Sequence, residues 1–242
     1  MRFTVAPRTD ALGRAYKKSQ LQVQLWVNRR QAELDAAALA ALPSLSEVAT
    51  SIEWVSPLEA NRFAEYFDAE FVRSIGRSDL VEPLARFWPR GGPHWDGLGI
   101  ARDPNGSNLG PVFVEGKSYP AEMRSRLTAK PESRRRILAR LAEARAWLGV
   151  PDTYAVAWSE RYYQAANRIA HIYFFHEVLG ERAWMLNLCF VNDADHPTSR
   201  GEWDAGLAIA EGDLGITGLQ LPGHGRAFLA AGTRAELLRP NA

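Results

Sequence analysis

Two carboxylates and one lysine occur in the middle of the chain in a pattern that suits chemistry on phosphate groups. Asp96 precedes a short apolar segment, and Glu115, Gly116 and Lys117 follow the unbroken apolar run 112–114. Side chains alternate between the two faces of a strand, so a strand through these residues places Glu115 and Lys117 on the same face. We therefore expect both charged groups to point into one common site.

Two short strands flank a turn-rich connector and bring Asp96 toward that face. Residues 94–101 and 111–117 have the composition of strands, and residues 103–108 are dense in turn formers. This arrangement is typical of an antiparallel hairpin with a moderately long loop. In such a hairpin Asp96 reaches the face that carries the other two charged side chains.

Two carboxylates and a lysine are the groups that hydrolysis of a phosphodiester bond requires. Carboxylate oxygens hold Mg²⁺ or Mn²⁺, and the ion polarises the phosphate and activates a water molecule. Lys117 beside that water would orient it or stabilise the charge that develops on the phosphate. The backbone carbonyl of Gly116 could supply a further ligand, and Gly97 permits close approach of the backbone to metal or substrate. We therefore expect a metal site with Asp96 and Glu115 as ligands.

An ordinary surface salt bridge is the alternative interpretation of these charged residues. An exposed Glu115–Lys117 pair on a solvated strand would contribute only about 0–1 kcal/mol and would carry no chemistry. The apolar run 112–114 argues instead for a central strand, where solvated charges are out of place. We therefore prefer the interpretation as a catalytic site.

A second set of polar residues lies on the strongest predicted helix, residues 160–179, which Gly180 ends. They fall at i, i+3, i+4 and i+7 and form one stripe on an otherwise apolar helix. The members of this stripe are Gln164, Asn167, Arg168 and His171. A buried helix with such a stripe turns it toward a cleft or a polar network. The solvent face of an amphipathic helix is the alternative, and His171 alone is better explained as structural than as catalytic.

The central pattern resembles the signature of the PD-(D/E)XK, or restriction-endonuclease-like, superfamily. Asp96-Gly97, followed on the next predicted strand by Glu115-Gly116-Lys117, is similar to that signature down to the trailing Ser118. Trp95 stands where the signature has proline, a departure that many members share. Residues 52–192 resemble the α-β-β-β-α-β core of that family, except that two predicted helices separate the third strand from the next.

The resemblance implies a Mg²⁺- or Mn²⁺-dependent nuclease that acts on DNA in preference to RNA. The implied catalytic residues are Asp96, Glu115 and Lys117. The implied metal ligands are Asp96, Glu115, Gly116 and Glu65. The implied substrate-binding residues are Gln164, Arg168 and Asn167, and an arginine suits a bidentate contact with phosphate. Glu65 lies on the helix predicted before the core, where a solvated surface acid is the favoured alternative.

The remaining elements follow from apolar periodicity and from the positions of proline and glycine. Helices are predicted at 14–41, which Pro43 ends, at 58–75, with Phe63, Phe67, Phe71 and Ile75 as its buried face, at 132–148 and near 202–211. Strands are predicted at 51–55 and 183–191. Loops punctuated by glycine and proline are predicted after the last of these helices.

The order of elements and the resemblance together predict an α/β fold with a restriction-endonuclease-like core. In this fold a small mixed central sheet is flanked by helices, and an extra N-terminal helix precedes it. We expect a single domain over residues 1–242, because no internal repeat, low-complexity tract or linker interrupts the chain. Within it, residues 1–50 form an N-terminal helical extension, 51–192 the catalytic core and 193–242 a C-terminal tail packed on the core.

Composition and charge narrow the class of protein. Of the 242 residues, 46% are hydrophobic and 24% are charged, which is typical of a globular protein with a substantial core. The net charge of +1 argues against a histone-like or strand-coating protein but allows a nuclease with a local basic patch. Cys189 is the only cysteine, so neither an intrachain disulfide nor a cysteine cluster for zinc can form. With no signal peptide and no run of about 18 apolar residues, we expect a cytoplasmic protein without a membrane partner.

Nucleic acid, with DNA favoured over RNA, is the expected partner, and the sequence allows a homodimer. The densest basic run is Arg134-Arg135-Arg136, with Lys130 and Arg140 nearby. This run could contact a nucleic-acid backbone or simply form an exposed helix face. Two other functions stay open: a catalytically silent member of the same fold that binds nucleic acid or a protein, and a metal-dependent hydrolase of small phosphoesters.

Overall fold

A mixed sheet forms the centre of the molecule. The computed structural model describes residues 7–239. Within them five strands lie side by side in chain order: β1 (Ser51–Ser56), β2 (Gly97–Arg102), β3 (Asn108–Lys117), β4 (Trp184–Val191) and β5 (His224–Ala230). Strands β1, β2 and β3 are antiparallel neighbours, whereas β3, β4 and β5 run parallel. The carboxyl ends of β3, β4 and β5 therefore meet at one end of the sheet.

Helices cover both faces of this sheet, so the fold is α/β with an open mixed sheet between helical layers. In chain order they are α1 (Lys18–Arg29), α2 (Gln31–Ala41), α3 (Pro43–Ser46), α4 (Asp68–Ser74), α5 (Val81–Phe87), α6 (Pro131–Trp147), α7 (Ala155–Glu160), α8 (Tyr163–Tyr173), α9 (Arg200–Leu214) and α10 (Arg234–Leu237). Val23 of α1 and Leu34 of α2 share a hydrophobic cluster with Val112 of β3. Phe113 of β3 belongs to the opposite cluster, with α4, α5, α6 and α8. None of the helices within residues 7–239 has the length and apolar character needed to cross a membrane.

Strand β3 divides its side chains between the two layers, because successive residues of a strand face opposite sides. Val112 and Val114 join the cluster of α1 and α2, whereas Phe113 joins the cluster of α8. Glu115 and Lys117 share the side of Phe113, as the alternation predicts. The predicted hairpin of β2 and β3 and the buried strand β4 are likewise confirmed.

The prediction of a single helix over residues 14–41 is wrong, because this segment forms two helices. Helix α1 begins at Lys18, and Arg30 leaves the helical conformation with φ −132° before α2 begins at Gln31. Helix α1 contacts β3, whereas α2 contacts β5. The break at Arg30 therefore lets the two helices pack against different strands of the sheet.

The helix predicted over residues 58–75 is wrong for most of its length, since only α4 and a 3₁₀ turn at Glu59–Asn61 form. Phe63 has a positive φ of 56° and packs in the cluster of α1 and α2. Phe71 packs instead in the cluster on the opposite face. The four-residue spacing of apolar side chains therefore serves two separate cores, and an irregular connector joins them.

The helices of the second half follow the prediction closely. Helices α6 and α9 lie where helices are predicted at 132–148 and near 202–211. The helix predicted over 160–179 corresponds to α8 and a π-helical turn that continues it to Val178, and Gly180 follows with φ +68°. The short α7 precedes α8, so three helices rather than the expected two separate β3 from β4.

The loops predicted after the last helix are wrong for His224–Ala230, which form β5 at the edge of the sheet. Glycines on both sides of His224 are typical of loops, so the sequence pattern does not predict a strand here. Its buried residues Ala227 and Leu229 do alternate with less buried neighbours. The strand forms because β4 offers a parallel partner, which no local pattern reveals.

Gly116 allows α1 to lie directly against β3, and this contact can be tested. A Cβ atom at residue 116 would lie 2.5 Å from Val23 Cγ2 and 3.2 Å from Phe190 Cε2. We expect Gly116→Ala to lower the free energy of unfolding by about 1–3 kcal/mol, because α1 must move away from the sheet. Urea unfolding followed by circular dichroism measures this change.

The matched control is Gly212→Ala in α9. Its Cβ would meet nothing closer than Thr217 Oγ1 at 4.0 Å. Alanine favours the helix, so this variant should gain about 0.5–1 kcal/mol. Equal unfolding midpoints for the wild type and Gly116→Ala would contradict the close contact between α1 and β3.

Candidate active site

Asp96 lies where the ladder between β2 and β3 ends. The last paired residues are Gly97 and Val114, so β3 continues past them without a neighbour from β2. There the Oδ2 atom of Asp96 accepts a hydrogen bond from the backbone N–H of Gly116 at 2.9 Å. This bond holds the carboxylate of Asp96 against the end of β3.

Glu115 and Lys117 project from the end of β3 toward α8 and form an ion pair. Only 7% of the Glu115 side chain and 15% of the Lys117 side chain are exposed. The next residue, Ser118, anchors the end of the strand because its hydroxyl donates to the carboxylate of Asp193 at 2.7 Å. The structure thus brings together the two carboxylates and the lysine that the sequence predicts as one site.

Arg168 of α8 closes the other side of Glu115. Its Nε and Nη2 atoms lie 2.8 and 2.6 Å from Oε2 of Glu115. Nη2 also donates to the His94 carbonyl at 2.8 Å, and Nη1 donates to Oδ1 of Asn167 at 2.7 Å. The guanidinium group lies 5.1 Å from the centroid of the Trp95 ring, within the range of a cation–π interaction. Arg168 therefore positions Glu115, and its predicted contact with substrate stays a prediction.

The polar stripe of α8 faces inward, so the alternative of a solvent face is wrong. Asn167, Arg168 and His171 are each 5% exposed or less, and Gln164 is half-buried. Nδ1 of His171 donates to the Asn167 carbonyl at 2.7 Å, and burial lowers the pKa of His171 to about 3. A neutral, buried His171 agrees with the structural role expected of it.

Glu65 lies in the irregular connector before α4, not on the helix that the sequence predicts there. It is half-buried and accepts a hydrogen bond from Nε2 of Gln20 in α1 at 3.1 Å. Burial raises the pKa of Glu65 above its usual value. These surroundings differ from those of a solvated surface acid, and the role of Glu65 as a metal ligand stays a prediction.

An open cleft of about 750 Å³ leads to these side chains. Gln164 and Asn167 of the polar stripe line it, together with residues 91–93. The charged side chains on its walls are Arg8, Glu65, Asp96, Lys117, Glu122, Arg124, Arg126 and Arg168. A ligand in this cleft would therefore contact the candidate catalytic residues and several cations at once.

Charge and burial raise the pKa of Asp96 and of Lys117 and lower the pKa of Glu115. Burial, followed by the negative charge of Glu115, raises the pKa of Asp96 to about 7. Burial alone would also raise the pKa of Glu115, but the positive charges of Arg168 and Lys117 hold it below its usual value. Burial opposes the charge of Lys117, but Glu115 and Asp96 raise the pKa of Lys117 above its usual value. Lys117 therefore stays protonated and Glu115 ionised at neutral pH.

The oxygen donors of the site fit a divalent ion such as Mg²⁺ or Mn²⁺. The carboxylates of Glu65, Asp96 and Glu115 supply these donors, and Lys117, Arg168 and, beside Glu65, Arg8 are the cations that act on them. In the part of the chain from residue 7 to 239, no group of three or more His, Cys, Asp or Glu side chains is arranged to hold a metal ion. Two carboxylates, a backbone carbonyl and water still form a suitable set, because Mg²⁺ keeps several of its waters.

Two features of the site escape the sequence pattern. The bond between Arg168 and Glu115 joins residues 53 positions apart, and the spacing of the stripe gives no sign of it. The segment Arg124–Arg126 lines the cleft, although the sequence draws attention to the denser basic run of α6. Its Arg-Ser-Arg alternation is the one local signal, because residues two apart in an extended segment share a face.

The buried carboxylate of Asp96 should cost stability when no metal is bound, and Asp96→Asn tests this. Asparagine keeps the hydrogen bond from Gly116 but removes the charge. The pKa of Asp96 is about 7 in the folded chain and near 3.8 when unfolded, so the folded chain binds the extra proton between these values. The free energy of unfolding of the wild type therefore falls as pH rises from about 4 to 7. Asp96→Asn does not show this fall, because residue 96 no longer ionises.

In EDTA near pH 8, we expect the free energy of unfolding of Asp96→Asn to exceed that of the wild type by about 1–3 kcal/mol. The difference should shrink as the pH falls toward 4, and urea unfolding across this range measures it. As a control, added Mg²⁺ should raise the thermal midpoint of the wild type but not that of the variant. Identical pH profiles for the two proteins would show that Asp96 ionises without cost.

Comparison with known proteins does not identify the function of this site. No family model, curated protein or solved structure matches the chain. Its chemistry therefore follows from Asp96, Glu115 and Lys117 themselves and from the groups that surround them.

Proposed function

We propose that this protein is a metal-dependent nuclease of the PD-(D/E)XK type, which hydrolyses phosphodiester bonds of DNA in preference to RNA. The observation that carries the proposal is the convergence of Asp96, Glu115 and Lys117 at the end of β3. The strands of the sheet support it in part, since antiparallel β1 to β3, a helical crossover and a parallel β4 fit the strands of the core that the resemblance implies. Helices α4 and α5 interrupt the chain between β1 and β2, and β5 is a further strand, so both depart from the α-β-β-β-α-β order.

Each group of the site has a distinct role in this reaction. Asp96 and Glu115 would hold the ion, with the backbone carbonyl of Gly116 as a further ligand. When bound, Mg²⁺ or Mn²⁺ would supply positive charge for the phosphate and lower the pKa of a water molecule. Lys117 stays protonated, so it stabilises the negative charge that develops on the phosphate and does not act as the base. Arg168 acts through Glu115, whose carboxylate it keeps in place.

Hydrolysis then needs only water as a second reactant. The oxygen of water forms a bond to phosphorus and the bond from phosphorus to the leaving sugar oxygen breaks. The attacking water gives one proton to solvent, and the leaving oxygen takes one proton from solvent to become a hydroxyl group. Gln164 and Asn167 line the cleft beside Lys117, where their amide groups can donate to phosphate oxygens. They would hold the strand in place during the reaction.

The shape of the cleft favours a polymer over a small phosphoester. The cleft is open, and the exposed cations Arg8, Arg124 and Arg126 line it in addition to the buried Lys117 and Arg168. A small substrate would need only the cations nearest to the reacting phosphate. A catalytically silent binder does not need a lysine and two carboxylates together at one end of the sheet, so the catalytic function is preferred.

Replacing Lys117 should abolish cleavage. We expect Lys117→Ala to lower the rate of DNA cleavage by about 100-fold or more, because the charge that stabilises the transition state is lost. Plasmid and linear single-stranded DNA serve as substrates, each with Mg²⁺, with Mn²⁺ and with EDTA. Lys130→Ala is the matched control, since Lys130 is exposed and lies outside the cleft.

Cleavage that needs Mg²⁺ or Mn²⁺, fails in Lys117→Ala and persists in Lys130→Ala would support both the function and its site. Cleavage that survives Lys117→Ala would refute the site. Absence of any cleavage by the wild type, with all metals and substrates, would favour the silent binder.

A further inference from the structure

A short extended segment carries two exposed arginines along the wall of the cleft. This arginine strap (Arg124–Arg126) lies between β3 and α6, and both of its arginines line the cleft that leads to Asp96 and Lys117. Both side chains are exposed, and among the ion pairs of residues 7–239 neither has a partner. Two positive charges therefore face the cleft without a carboxylate bound to them.

The backbone of the strap is fixed to the start of α8. The N–H of Ser125 donates to the Arg161 carbonyl at 2.8 Å, and the Ser125 carbonyl accepts from the N–H of Tyr163 at 3.1 Å. The Ser125 hydroxyl accepts from the N–H of Gln164 at 2.8 Å. Residues two apart in an extended segment share a face, so these bonds hold both arginines on one side.

The acidic side chains near the strap are already engaged. Glu122 accepts a hydrogen bond from a backbone N–H at 2.7 Å, and Glu65 accepts one from a glutamine of α1. Glu160, whose charge acts on Arg126, forms an ion pair with Arg134 at 2.6 Å. Glu122 and Glu65 keep their negative charge because their donors are neutral, but neither forms an ion pair with the strap, so an anionic ligand meets two arginines without an ion-pair partner in residues 7–239.

The basic run of α6 offers less free charge, although it is denser in sequence. Arg134 and Arg140 form ion pairs, and Arg136 donates to two backbone carbonyls. Three of its arginines thus contribute to local packing, and none of them lines the cleft. The strap is the better surface for a nucleic-acid backbone.

We propose that the arginine strap binds the phosphate backbone of the DNA strand that is cut, and so places the scissile phosphate beside Lys117. This inference rests on the proposed nuclease function. Arginine suits the role because its planar guanidinium group makes paired hydrogen bonds to phosphate oxygens. Contacts with phosphate carry no base information, so the strap binds DNA of any sequence.

The salt dependence of DNA binding tests the strap directly. The test variant carries Arg124→Ala and Arg126→Ala. The control carries Arg73→Ala and Arg239→Ala, which remove two exposed arginines that lie outside the cleft and form no ion pair with any residue from 7 to 239. Binding of a labelled single strand of about 20 nucleotides is followed by fluorescence anisotropy, in EDTA to prevent metal-dependent cleavage, from about 50 to 200 mM salt.

We expect the strap variant to bind at least about 10-fold more weakly than the wild type and to lose about 1.4 from the slope of log K against log salt concentration, because each contact with a single-strand phosphate contributes about 0.7. The control pair should keep the slope of the wild type. Replacing both strap arginines with lysine should restore the slope, since it keeps the two charges.

Wild-type affinity and slope in the strap variant would overturn the inference and leave the proposed function intact. A wild-type protein that neither binds nor cleaves DNA would overturn the proposed function, and the strap with it. Weaker binding with an unchanged slope would also count against the strap, and thermal unfolding of the variant would then show whether the fold is disturbed.

Discussion

The carboxylate of Glu115 lies in the interior between two cations, and the end of the sheet is organised around it. A buried carboxylate is costly unless charges and hydrogen bonds compensate it. Lys117 supplies one charge from the same strand, and Arg168 supplies the other from α8. This second bond ties α8 to β3 on the side of the helix that carries the polar stripe. Asn167 and His171 of this stripe are buried there.

The two faces of β3 pack against different helices. On one face Gly116 leaves room for α1, and a side chain there would collide with Val23. On the other face the charged pair approaches α8. Asp96 completes the site because its carboxylate accepts the Gly116 N–H at the point where β2 no longer pairs with β3. A single glycine thus serves the packing of the core and the placement of a candidate metal ligand.

Much of the architecture follows from local pattern. Alternation along β3 and the turn-rich connector before it predict the hairpin of β2 and β3, the apolar run predicts the buried strand β4, and all three are confirmed. Failures occur where one periodic pattern serves two cores, as with Phe63 and Phe71, and where a strand depends on its neighbour, as with β5. In both cases the deciding contacts are distant in sequence.

The sequence by itself determined that Glu115 and Lys117 share a face, because the two-residue period of a strand is a property of the backbone. It also determined that the polar residues of α8 form one stripe. Only the tertiary structure decided that Arg168 is the partner of Glu115 and that Arg124 and Arg126 line the cleft. Pairing of charges across the fold depends on how the sheet twists and how α8 lies upon it, and no local spacing of residues encodes that geometry.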